Sequence, residues 1–158
     1  MTNNFLKILF YLLLMIILQN CGYEPLLTEK YQKFSINSFE ISGNKKLGQM
    51  LSNRFIKFKD AQNNLICIVK LDKNRVQSNK TQAGKVLEYT LNVSVALEAV
   101  SMSSGDKILI KGYSEKQSFK ASTLYSDTLS REEKIITNLI KLIADQITND
   151  LNLIYRGK

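Results

Sequence analysis

V-L-E-Y-T-L-N-V-S-V-A-L-E-A, residues 86–99, is the most regular stretch of the chain. Leu87, Tyr89, Leu91, Val93, Val95 and Leu97 alternate with Glu88, Thr90, Asn92, Ser94, Ala96 and Glu98. A period of two sends successive side chains to opposite faces of a strand, so this segment has one apolar face and one polar face. Such a strand belongs in an antiparallel sheet that is covered on one side only. Burying its six apolar side chains is worth about 1.5–3 kcal/mol each before entropy. Other parts of the chain must therefore supply the cover.

On the C-terminal side, S-S-G-D, residues 103–106, supplies a hairpin turn, and residues 107–120 return as a fourth strand whose alternation fades after Gly112. On the N-terminal side, residues 64–72 form a strand with Leu65, Cys67, Val69 and Leu71 on one face. The polar, basic residues 73–85 read as the connection from it to residues 86–99. Residues 33–41, K-F-S-I-N-S-F-E-I, are rich in β-branched and aromatic types and form the first strand. S-G-N, residues 42–44, then offers a turn and a helix cap.

Two helices provide the cover. Leu47, Met50, Leu51, Phe55 and Phe58 recur at helical spacing over residues 45–60. S-R-E-E, residues 130–133, has the spacing of a capping box. Beyond it Ile136, Leu139, Ile140, Ile143, Ile147, Leu151 and Ile154 make an unbroken stripe on a helix of about twenty residues. The expected fold is α+β, in the order β-α-β-β-β-α, with both helices packed on one face of a four-stranded, mainly antiparallel sheet.

Ahead of this domain, residues 8–18, I-L-F-Y-L-L-L-M-I-I-L, form an apolar tract preceded by Lys7. A bilayer-spanning helix needs about 20 apolar residues, whereas a short basic start and a brief apolar stretch describe an export signal. Residues 1–20 are therefore expected to be a signal peptide, 21–32 a tether and 33–158 the folded domain. An uncleaved tilted anchor, with Lys7 snorkelling, is the other reading of the same tract. Of the 22 Lys and Arg only Lys7 lies in residues 1–20 and none of the 14 acids does, so the remainder carries 21 against 14, a net +7. Export directs that charge away from nucleic acid and toward anionic lipid head groups, glycolipids or acidic surfaces.

Few residues offer catalysis. The chain has no histidine and only two cysteines, which removes the usual general base and the commonest metal ligand. Glu132 and Glu133 suit the start of a helix, and no Gly-rich phosphate loop is present. No enzyme, metal site or cofactor is expected. Cys67 reads as a small core hydrophobe. Cys21, which directly follows the apolar tract in L-Q-N-C, is open to acylation, to a disulfide with Cys67, or to a place at the end of an anchor. Acylation is the reading that fits its position.

L-Q-N-C resembles the box of bacterial lipoproteins that ends in the acylated cysteine; Leu18 fits it, while Gln19 and Asn20 replace the small residues usual there. C-G-Y-E-P-L at 21–26, L-E-Y-T-L-N-V at 87–93, K-G-Y-S-E-K-Q-S-F at 111–119 leading through L-Y-S into the last helix, and the order of elements form a wider pattern. That pattern resembles the LPS-assembly lipoprotein LptE family. The resemblance implies lipidation at Cys21 and a non-enzymatic outer-membrane role. It also implies a large β-barrel partner, the LptD-like lipopolysaccharide translocon, which such a protein plugs and helps to assemble. Lipopolysaccharide itself would be a ligand. Lys73, Arg75, Lys80 and Lys85 around the connection, with Lys107 and Lys111 on the fourth strand, are candidates to meet its phosphates as a patch at one end of the sheet.

Overall fold

A computed structural model describes residues 33–56 and 61–156, so the expected signal, the expected tether and Cys21 lie outside the described residues. The elements are β1 (Phe34–Gly43), α1 (Lys45–Ser52), β2 (Asn63–Lys80), β3 (Val86–Ser101), β4 (Lys107–Lys120) and α2 (Tyr125–Arg156). The sheet order is β1-β2-β3-β4. β1 runs parallel to β2, as the crossover through α1 requires, and the two remaining pairs are antiparallel. This is the expected α+β arrangement.

Both helices bury their apolar stripes on the same sheet face. Leu47 and Leu51 of α1 and Leu139, Ile140, Ile143, Ile147 and Leu151 of α2 join Leu65, Val69, Leu91, Val93 and Val95 in one core. Cys67 belongs to that core as a free, fully buried thiol. Phe34, at the start of β1, stacks on Tyr155, near the end of α2, with ring centroids 5.9 Å apart. Leu87 is the exception on β3: it stands at the end of the strand and is exposed. Five of the six side chains on that face, not all six, are covered or partly covered.

Three boundaries differ from the sequence reading. The first helix stops at Ser52 instead of running to residue 60. Asn53 N–H donates to the Gln49 carbonyl, Arg54 N–H to Leu51 and Phe55 N–H to Ser52, tightening the chain into a turn. Phe55 then packs on Phe39 of β1, ring centroids 5.4 Å apart, so its helical spacing is coincidental. Phe58 lies outside the described residues.

The second difference is the segment 73–80, expected as a connection. It is strand, paired from Lys73 opposite Val93 to Lys80 opposite Val86. Cross-strand pairing with β3 holds it in place, and no apolar alternation marks it. Only Thr81–Lys85 form the turn, where Lys85 N–H donates to the Thr81 hydroxyl (3.0 Å) and Gly84 takes φ +82°.

The third difference is that α2 spans 32 residues and starts at Tyr125, so Ser130 and Glu133 do not form a capping box. The buried Thr128 hydroxyl instead accepts from the Ser122 backbone N–H (2.9 Å), fixing the approach to the helix. Asn44 does cap α1, accepting from Leu47 N–H at 3.2 Å. Gly43 precedes it at φ +75°, and a Cβ there would collide with the Leu71 carbonyl oxygen. No helix among the described residues is long and apolar enough to cross a membrane.

Candidate functional site

The extension of β2 past the apolar core places Lys73 and Arg75 on the helix-bearing face, opposite the first turns of α2. Glu132 answers them. Lys73 Nζ is 2.8 Å from Glu132 Oε1 and Arg75 Nη1 is 2.7 Å from Oε2. The Glu132 side chain is only 7% exposed. Burial alone would raise its carboxyl pKa, but hydrogen bonds from Lys73 and Arg75, reinforced by their charge, hold it below the usual range. The Arg75 guanidinium also lies 4.9 Å from the centroid of the Tyr89 ring. The arrangement clamps the polar half of β2 to α2.

A groove of about 650 Å³ opens beside this clamp, between α1 and α2. Leu47, Met50, Leu129 and Ile136 give it apolar walls. Lys46 Nζ meets Glu133 Oε1 at 3.0 Å on its rim, between two exposed side chains. Such an exposed pair has little energetic weight.

The remaining sequence candidates are spread over the sheet. Lys111 Nζ lies 2.8 Å from Asp150 Oδ2 on α2, and the Tyr113 hydroxyl donates to the same oxygen at 2.7 Å. Those two hydrogen bonds, Lys111's first, lower the Asp150 pKa. Lys107 Nζ lies 2.9 Å from Glu98 Oε1. Lys80 and Lys85 flank the β2–β3 turn and are exposed, with no ion pair among the described residues.

The structure therefore brings Lys73 and Arg75 together, places Lys80 and Lys85 farther along the same hairpin, and puts Lys107 at the opposite end, next to the β3–β4 turn. The six cations do not form one patch at one sheet end. Register explains this: β4 runs antiparallel to β3, so its first residue lies beside Val100 while Lys80 lies beside Val86.

Glu132 is the residue that sequence reasoning misassigned, as a charge suited only to a helix start. Its signal was its spacing. It falls four residues before Ile136 and so on the apolar stripe of α2, and an acid there needs partners when buried.

Comparison with family models finds no match, and no curated protein matches. Solved structures do. A crystal structure of the rare lipoprotein B from Shewanella oneidensis aligns over 77% of this chain and 98% of its own, with a TM-score of 0.54 and 16% identity. A minor lipoprotein from Acinetobacter baumannii aligns over 77% of this chain and 91% of its own, with a TM-score of 0.53 and 19% identity. For lipoprotein B from Nitrosomonas europaea the shares are 78% and 88%, the TM-score 0.54 and the identity 11%. The β-α-β-β-β-α sheet-and-two-helix domain of this chain is thus the fold of these bacterial lipoproteins, shared at low sequence identity.

Proposed function

We propose that this chain is an outer-membrane lipoprotein of the LptE type, acylated at Cys21, that occupies the lumen of a large β-barrel lipopolysaccharide translocon and assists its assembly. The observation that carries the reading is a conjunction: a fold shared with bacterial lipoproteins over nearly the whole described domain, on a chain whose apolar tract, residues 8–18, is followed two residues later by Cys21 in C-G-Y-E-P-L. The domain suits a wet lumen, because barrel interiors are polar and much of its exposed surface carries Lys, Ser, Asn and Thr. We read its contribution as binding and scaffolding, without catalysis. Of the six candidate cations, Lys80 and Lys85 have no ion pair among the described residues, and on this reading they meet lipopolysaccharide phosphates.

The test is detergent extraction through a tag placed after Lys158. A large β-barrel protein recovered in stoichiometric amount is the expected result. Recovery of the chain alone, from membranes that contain such a barrel, would sink the plug role. The groove between α1 and α2 favours a second reading, a lipid-anchored binding protein of another envelope lipid-transport system. On that reading, the chain purified alone should carry a bound amphiphile.

A further inference from the structure

The sheet face opposite the helices is not uniformly polar. Along β2, β3 and β4 its rows run Asp72–Ser94–Ser114 and Lys70–Ala96–Gly112, then change to Ile68–Glu98–Ile110 and Ile66–Val100–Lys107. Met102 follows in the turn, with Asn37 Nδ2 at 3.6 Å from its sulfur. Met102 is 58% exposed, Ile110 66% and Ile68 38%. No described helix or strand lies over Ile66, Ile68, Val100, Met102 and Ile110. An uncovered apolar cluster confined to one end of a largely polar face marks a contact surface.

Where the chain joins the sheet indicates what that surface meets. β1 begins at Phe34, opposite Asn63, and Leu65 lies opposite Ser101, so the first described residues sit at the same end as the β3–β4 turn and the apolar cluster. The segment between Cys21 and the sheet, residues 21–32, spans at most about 40 Å fully extended. Whatever holds residue 21 in a membrane keeps this end of the sheet within that distance of the bilayer. The charges around the cluster oppose one another and leave the contact to its apolar side chains. Lys107 pairs with Glu98, and the exposed Lys33 and Lys70 are matched in number by Glu40, beside Ile68 on β1, and Asp106 in the turn.

We infer that the apolar end of the open sheet face, centred on Met102, Ile110 and Ile68, rests on the surface of a phospholipid bilayer when the protein is anchored and not engaged by a partner. The inference rests on membrane attachment near Cys21. It adds an orientation: strands inclined to the membrane, helices away from it, and the β2–β3 hairpin with Lys80 and Lys85 pointing outward.

The chain contains no tryptophan, so a single introduced one reports its surroundings. The full chain carrying Met102→Trp or Ile110→Trp would be reconstituted on vesicles of phosphatidylethanolamine and phosphatidylglycerol with brominated acyl chains. The comparison is Val76→Trp, on the same sheet face at the far end, where the parent side chain is 52% exposed. The expected result is a blue shift and loss of emission by bromine quenching at positions 102 and 110, with position 76 unchanged.

Vesicle-bound protein whose introduced tryptophans at positions 102 and 110 remain unquenched would overturn the inference while leaving the lipoprotein reading intact. Failure of the chain to float with vesicles would overturn both. A blue shift at positions 102 and 110 without vesicles, accompanied by dimerisation, would overturn it in favour of a second copy on this face. No barrel is present in the experiment, so its outcome is independent of the plug role.

Discussion

Lys73 of β2 and Glu132 of α2 meet at 2.8 Å, fifty-nine positions apart in the chain. With Arg75 on the second carboxylate oxygen, they bind the polar extension of the sheet to the helix that covers its core.

Removing the carboxylate leaves two cations facing each other without their acceptor. Glu132→Ala is expected to lower stability by about 1–3 kcal/mol, the range for hydrogen bonds to charged groups and for stranded polar partners. Because Glu132 titrates below its ordinary value of 4.5 when folded, the stabilisation it brings is complete above that value and is lost as pH falls through the lower folded one. Denaturant midpoints measured between neutral and acid pH should fall for the parent. They should fall less for Glu132→Gln, which carries no titrating group there. Equal pH slopes in parent and variant would show that the clamp does not govern acid sensitivity.

Cys67 is buried in the core, and burial raises its thiol pKa to about 12. The thiolate is the reactive form, so the folded protein should resist thiol reagents at neutral pH at this position and react once unfolded in urea. Rapid labelling of Cys67 in the native protein would contradict its burial. Cys67→Ser should cost about 1–3 kcal/mol, because the hydroxyl enters an apolar environment.

Much of this fold was legible because β3 and α2 carry their own periodicities. Leu91, Val93, Val95 and Leu97 alternate, and Leu139, Ile140, Ile143 and Ile147 recur on a helical face, because each element buries one side. Residues 73–80 lacked that signal. They are held as strand by pairing with β3, a long-range interaction, and their side chains are mostly exposed. The first part of α2, before Ser130, was hidden for a similar reason: Thr128 is buried by its bond to Ser122, and a polar residue at a core position gives no hydrophobic periodicity. The scatter of the basic candidates was invisible because it depends on register. Neither the Lys107–Glu98 pair nor the Lys111–Asp150 pair can be read without knowing which residues face each other.

The proposed membrane attachment through Cys21 predicts a separable phenotype. Cys21→Ala should abolish incorporation of labelled acyl chains, and cells making it should release the protein from the membrane fraction if the signal is cleaved. The folded domain should be unaffected, because the core among the described residues is built from Phe34 onward. Absence of acyl label from the parent protein would remove the lipid anchor from the proposal.

The positions of the cations separate those proposed to meet lipopolysaccharide from those that hold the fold. Lys80 and Lys85 are exposed at the β2–β3 turn, and neither has an ion pair among the described residues. Replacing both by Ala should leave stability within about 0.5 kcal/mol of the parent, as for surface substitutions generally. It should weaken binding to lipopolysaccharide, with the loss shrinking as salt rises. Arg75→Ala should behave differently, lowering stability because it leaves Glu132 with one partner and removes the cation–π contact with Tyr89. Paired measurements of lipopolysaccharide binding and of denaturant unfolding distinguish these effects. Unchanged binding by the Lys80, Lys85 double variant would remove the hairpin tip as the contact. A loss of binding only in Arg75→Ala, in step with its loss of stability, would show that the clamp supports the fold without meeting the ligand.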